Sequence, residues 1–240
     1  MSRPDHVASC VYCGSTKQLT DDHVPPKQLF VRPRPSDLVT VPSCQPCNSG
    51  FQPDDDYFRT VLALRIDDRR WPEAKSLREA TLRGLRRQEA QAFAAAIRQS
   101  LVRADMPPLP DGSIQLAGQW VDGARINRTI QRLIRAFFWK ERDHRLPPDY
   151  RATGGLFEVA SSFLPVLLPV LASGGGERTL AGGHFDYVWG EAPDDPDTTA
   201  WWFTFFGRYS FLGLTARPPA PDPSLRSNKG MKADGAAEAP

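Results

Sequence analysis

Apolar residues recur at helical spacing through the middle of this chain and at alternating spacing near its end. Behind the acidic run Asp54-Asp55-Asp56, the residues Tyr57, Phe58, Val61, Leu62 and Leu64 form a short apolar face. Carboxylates favour a helix N-terminus, where unpaired N–H groups carry partial positive charge, so the pattern predicts a helix opening at this run. A second helix is expected after Trp71-Pro72, with Leu82, Leu85, Phe93, Ala96 and Ile97 at helical intervals and Pro107, Pro108 and Pro110 ending it. A third is expected over residues 124–142, with Ile126, Ile130, Leu133, Ile134 and Phe137 on one side. Farther on the period shortens. Phe185, Tyr187 and Trp189 alternate with other residues, as in a half-buried strand. Residues 201–206 and 209–214 are dense in aromatic and β-favouring types, with turn-rich stretches at 191–199 and at Gly207-Arg208. The chain therefore divides into four zones: residues 1–52, a helical region at 53–146, a β-rich region at 147–216, and a tail at 217–240. The tail is rich in Pro, Ala, Gly, Ser and Lys and too poor in apolar surface to order itself. No internal repeat is evident.

Composition narrows the classes. The chain has 240 residues, 40% of them hydrophobic, enough for one sizeable core or two modest ones. Its formal net charge is +2, so any affinity for nucleic acid has to come from local basic faces. No apolar run approaches the roughly 18 residues that span a bilayer. The most apolar stretch, residues 159–171, is interrupted by Pro165, and the N-terminus has no apolar signal-peptide core. The expectation is a cytoplasmic protein with no membrane partner.

The zone at 1–52 lacks a long apolar face but holds all four cysteines, in two C-x-x-C pairs: Cys10 with Cys13, and Cys44 with Cys47. Such a segment needs another source of stability, and structural zinc contributes on the order of 10–16 kcal/mol in small modules. Disulfides do not persist in a reducing compartment. Two C-x-x-C turns supply four soft thiolates that close a tetrahedron around Zn²⁺. The spacing predicts a structural zinc site formed by Cys10, Cys13, Cys44 and Cys47. An iron–sulfur cluster is the rival occupant, disfavoured by the knuckle spacing. The first pair, with Gly14 after it, is expected on a tight turn leading into a hairpin, and the second pair at the start of a helix.

Between the pairs lies Thr20-Asp21-Asp22-His23-Val24-Pro25-Pro26, and Asn48 directly follows the last cysteine. On Cys10, Cys13, Asp22, His23, Cys44, Cys47 and Asn48 the sequence resembles the HNH, or ββα-metal, endonucleases. Within them it is most similar to the zinc-knuckle subtype typified by phage recombination endonuclease VII. The match covers about forty residues. Together with the helical and β-rich regions read from the apolar pattern, the resemblance gives the expectation of an α+β chain. An N-terminal zinc-stabilised ββα-metal module, treble-clef-like, would precede the helical region and a small antiparallel β region. It also implies a metal-dependent endonuclease that hydrolyses phosphodiester bonds in DNA. His23 would be the general base and Asp22 and Asn48 the ligands of a catalytic Mg²⁺ or another divalent cation. The chemistry suits these types. A histidine titrating near neutrality can take a proton from water, and a hard cation takes oxygen donors. The implied products carry 5′-phosphate and 3′-hydroxyl ends. The family's middle asparagine has no counterpart: Asp37, before Leu38-Val39, stands in that region, able to accept a backbone N–H but not to donate as an amide does.

Other readings of the same residues stay open. A catalytically silent zinc module that binds nucleic acid or protein is the alternative to an enzyme, and RNA is an alternative substrate to DNA. Asp21 rivals Asp22 as a ligand, and Asn48 has a second possible role as a helix cap. Lys27 is a weak candidate for phosphate contact. His6, His144 and His184 show no partner pattern. On the third helix, Arg125, Arg128, Arg132, Arg135 and Arg142 fall within about a 100° arc, with Trp139 on the same side. Such a face either tracks a phosphate backbone or is simply solvated. The aromatic strands suggest core rather than a ligand site.

Overall fold

Two antiparallel strands and a long helix come first. Strand β1 (Leu19–Val24) pairs with β2 (Val39–Cys44), and α1 (Gln45–Arg65) follows directly. This computed structural model describes residues 8–65, 72–103 and 116–219. His6, Trp71, the expected helix stops Pro107, Pro108 and Pro110, and the tail from residue 220 onward lie outside those residues.

Helix α1 opens at the second C-x-x-C pair, as expected there, and is continuous with the helix expected from Asp54 onward. Pro46 is tolerated in a first turn, whose N–H groups lack helical partners, and Gln45 N donates to Gln18 O at 2.9 Å. The helix then runs through the boundary expected at residue 52, although Pro53 cannot donate to the carbonyl of Ser49. Asp54, Asp55 and Asp56 therefore sit inside the helix, not at its N-terminus. Their charges are met by arginines instead: Asp54 by Arg125 and Arg128, Asp55 by Arg132, and Asp56 by Arg59.

The expected second helix divides into α2 (Pro72–Leu85) and α3 (Gln91–Ser100), which leads into a small hairpin of β3 (Leu101–Arg103) and β4 (Leu116–Gln119). The third helix is α4 (Gly123–Arg142). Asp122 caps it by accepting from Ala124 N at 3.0 Å and Arg125 N at 3.2 Å. Its predicted apolar face, Ile126, Ile130, Leu133, Ile134 and Phe137, is fully buried.

The last part is an antiparallel sheet in the order β5-β9-β8-β7-β6, comprising β5 (Arg151–Leu156), β6 (Gly176–Leu180), β7 (Phe185–Ala192), β8 (Asp195–Phe205) and β9 (Tyr209–Ala216). The turn at Gly207 is as expected, with Phe206 and Gly207 both at positive φ, the hand that matches strand twist. Helix α4 lies on one face, against Phe185, Tyr187 and Phe203. It approaches so closely at Gly213 that a Cβ there would sit 2.3 Å from Ile134 Cδ1. On the other face, Ala200, Trp202 and Leu212 pack under α5 (Leu164–Leu171) through Leu167. This helix falls inside the zone expected to be β-rich.

The fold is α+β. The cysteine-bearing hairpin is not a separate body: Val11, Val24, Leu29, Phe30 and Val41 join the same buried cluster as Phe58, Ile130 and Phe205. Among the described residues no helix is long and apolar enough to cross a membrane.

Candidate metal centre and catalytic cleft

The four cysteines converge although thirty residues of chain separate the two pairs. Cys10 N donates to Ser15 O and Gly14 N to Cys10 O, both at 2.8 Å, which curls the first knuckle; Gly14 makes the turn at φ +81°. Val11 N donates to Pro42 O at 3.0 Å and so ties the knuckle to β2. Cys44 ends β2 and Cys47 occupies the first turn of α1. All four Sγ atoms lie within 4.8 Å of one another, with Cys13 Sγ and Cys44 Sγ 3.6 Å apart, and none is in a disulfide. A tetrahedron with zinc–sulfur bonds of about 2.3 Å has edges of about 3.8 Å. The four thiols can therefore hold a structural metal ion such as zinc. Burial opposes ionisation of Cys10, but N–H groups from Cys44, Cys13 and Tyr12 outweigh it and lower the thiol to about 6. Burial and the neighbouring thiols push Cys47 up, and Cys13 is raised as well.

Beside this centre, a cleft of about 280 Å³ is lined by Asp22, His23 and Asn48, together with Arg34, Asp55 and Arg132. The three predicted residues thus share one cavity. Adjacent residues on a strand point to opposite faces, and Asp22 is buried while His23 is half-exposed. Asn48 Nδ2 donates to Thr20 Oγ1 at 3.0 Å and to Asp21 O at 3.4 Å. Both are acceptors here, since Thr20 Oγ1 passes its own proton to Ser43 O. The Asn48 carbonyl oxygen is left with no protein donor among the described residues. Asp21 is exposed on the strand and lines the same cleft, as does Lys27.

Asp22 is the surprise of the site. It is 3% exposed, and its carboxylate is gripped by Arg132, with Nε 3.0 Å from Oδ2 and Nη2 bonded to Oδ1. Tyr12 Oη also donates to Oδ2, at 2.6 Å. Arg132 Nη1 reaches on to Asp55, so one guanidinium joins β1, α1 and α4. Burial pushes Asp55 up to about 6, against the pull of Arg132 and with help from the nearby Asp22 charge. Burial, then the Asp22 charge, raises Tyr12 well above the usual phenol value, so it stays a donor. A carboxylate offers about four lone-pair positions. Three are taken, and one remains on Oδ1. That position and the Asn48 carbonyl are oxygen donors without a protein partner among the described residues, the donor type a hard cation takes.

His23 is pushed below 6.5, first by burial and then by the charge on Lys27, with Asp22 opposing and Arg34 adding to the depression. Asp37 braces the loop between β1 and β2: its Oδ2 accepts from Ala181 N at 3.0 Å, joining the hairpin to the sheet. His144 pairs with Asp197 at 2.9 Å, away from the cleft.

The basic face of α4 is mostly engaged with acids of the chain itself. Arg125 and Arg128 clasp Asp54, Arg132 is 4% exposed, and Arg142 pairs with Glu191. These arginines tie α4 to α1, β1 and β7 and are not laid out for a phosphate backbone. Sequence reasoning missed Tyr12, Asp55 and the inward role of Arg132. The available signal was the complementary run of acids at 54–56. No protein-family model, curated protein or solved structure matches this chain.

Proposed function

We propose that this chain is a metal-dependent HNH-type endonuclease that hydrolyses phosphodiester bonds in DNA. The observation that carries the reading is the convergence of His23, Asp22 and Asn48 on one cleft beside a centre of four thiols. In this reading a structural Zn²⁺ bound by Cys10, Cys13, Cys44 and Cys47 fixes the end of β2 and the start of α1. It thereby sets Asn48 against Thr20 and Asp21.

His23 accepts a proton from water as the oxygen attacks phosphorus. Its depressed proton affinity keeps the ring free for that role at neutral pH. The bond from phosphorus to the 3′ oxygen breaks, and that oxygen takes a proton from solvent water, giving a 5′-phosphate and a 3′-hydroxyl. Asp22 Oδ1 and the Asn48 carbonyl would hold a divalent cation such as Mg²⁺, which supplies charge neutralisation at the phosphate and the departing oxygen. Arg132 and Tyr12 orient the Asp22 carboxylate, and Arg34 and Lys27 give the cleft a cationic wall toward a phosphate.

Plasmid nicking in Mg²⁺ tests the proposal. The wild-type chain should convert supercoiled to open-circular DNA, and His23→Ala should fall at least a hundredfold in rate. Equal nicking by both proteins would remove His23 from the chemistry. A labelled RNA in the same assay decides between DNA and RNA.

A further inference from the structure

The arginines of α4 that pair with acids leave Arg135 as an exception. It is half-buried, and it faces a second cavity, of about 260 Å³, whose wall also carries Arg145 and Arg151. No Asp or Glu lines this cavity, and among the described residues none of the three arginines has an ion-pair partner. Tyr12, Cys13 and Tyr150 complete the polar part of its wall. Arg145 lies over the knuckle: a Cβ on Gly14 would be 2.9 Å from its Nη1. Like charges gathered without a counterion cost energy that an anionic ligand relieves.

The thiolate centre explains part of this gathering. Four thiolates around one Zn²⁺ carry two net negative charges, which two of the arginines can balance. A third guanidinium is left over. The cavity also adjoins the catalytic cleft by way of one intermediate hollow: Arg132 borders the cleft and the hollow, and Tyr12 and Arg135 border the hollow and the cavity.

The geometry points to a phosphate-binding site formed by Arg135, Arg145 and Arg151, which takes a backbone phosphate of a nucleic acid whose scissile bond lies in the His23 cleft. Guanidinium forks match phosphate oxygens, and such contacts fix register without reading sequence. The nucleic-acid source of the phosphate rests on the nuclease reading; the cationic cavity does not.

The test uses the full, zinc-loaded chain without added magnesium. Anisotropy of a labelled DNA duplex is followed from about 50 to about 200 mM salt, where phosphate contacts dominate the slope. Arg145→Gln/Arg151→Gln should weaken binding roughly tenfold at low salt and flatten the log–log salt slope by about 1. Arg151→Gln alone, at an exposed position, should move both readings the same way by less. Unchanged affinity and slope would overturn the proposal. So would a variant that loses zinc in proportion to its loss of binding, since the arginines would then serve only the thiolate centre. Inorganic phosphate that protects wild type but not the double variant, with duplex binding unaffected, would overturn the nucleic-acid source. The nuclease reading is judged separately: His23→Ala retains the arginines, so it should bind with the wild-type slope while failing to nick. Arginine-dependent binding without His23-dependent nicking would keep this site and reject the nuclease.

Discussion

Replacing Arg132 with methionine should cost about 3–5 kcal/mol of stability, the range for stripping the countercharge from buried acids. The side chain is 4% exposed, and its partners Asp22 and Asp55 are 3% and 8% exposed. Methionine keeps the apolar stem and much of the packing on Phe51, over whose ring the guanidinium carbon stands at 4.6 Å. What disappears is the charge. Asp22 would keep only its bond from Tyr12, and Asp55, already raised to about 6, would protonate at modest cost, which favours the lower end of the range. Urea unfolding should show a lower midpoint with an unchanged slope. Arg128→Met is the control: its side chain is 55% exposed, and its partner Asp54 keeps Arg125, so the loss should stay under about 1 kcal/mol. Acidity gives a second handle. Without Arg132, Asp55, already raised above its unfolded value by burial, rises further. Groups raised in this way add stability at low pH that is lost as pH climbs through the folded value. The deficit of the variant should therefore shrink between about pH 7 and about pH 5. Removing the charges together, as Asp22→Asn/Asp55→Leu/Arg132→Met, should recover most of the loss, because no buried charge is left unpaired. A single-variant loss below about 1 kcal/mol, or a triple variant no more stable than the single one, would refute this account of the triad.

Three further outcomes follow from the site. Cys13 and Cys47 hold their protons more tightly than ordinary thiols, so binding a metal there releases at least two protons. Affinity measured against a chromophoric chelator should fall about a hundredfold for each pH unit lost near neutrality, and a flat profile would contradict thiolate ligation. The acidic limb of the nicking rate should have its midpoint below 6.5, because burial and Lys27 depress His23; a midpoint above that value would point to another base. Gly14→Ala should cost about 1–2 kcal/mol, mainly from its φ of +81°. Adding Arg145→Ala should not restore the loss in thermal unfolding, since a flexible side chain can move away and the backbone cannot.

Local patterns in the sequence were readable because local physics makes them. The apolar stripe of α4 has to face a core, and Ile126, Ile130 and Phe137 do so. Knuckle spacing reports metal geometry directly, and the four thiols gather as it requires. Asp37 was legible as able to accept a backbone N–H, but its donor, Ala181, could not be named from 144 residues away. Features that depend on distant partners were lost. Asp54 to Asp56 looked like a helix opening because carboxylates at that position usually are, yet arginines of α4 claim two of them. Strands β5 and β6 lack the aromatic alternation of their neighbours; β5 carries Gly154 and Gly155, and β6 is an almost fully exposed edge. Periodicity had little to register in either.

The arginines show why a charged arc on a helix is weak evidence for a ligand surface. Five of them share one side of α4, and helical geometry alone makes them look equivalent. The fold separates them by what covers each turn. Where α1 and β1 lie across the helix, acids rise to meet Arg125, Arg128 and Arg132, and for Arg132 burial turns the charge into a strut. One turn farther on the cover is the knuckle, no carboxylate lines the cavity there, and Arg135 stands beside Arg145 and Arg151 with no ion-pair partner among the described residues. A contact to phosphate is therefore to be sought where carboxylates are missing from the lining, not where arginines are most numerous. On that criterion the cavity beside the knuckle, and not the outer face of α4, is the place to expect the backbone of a substrate.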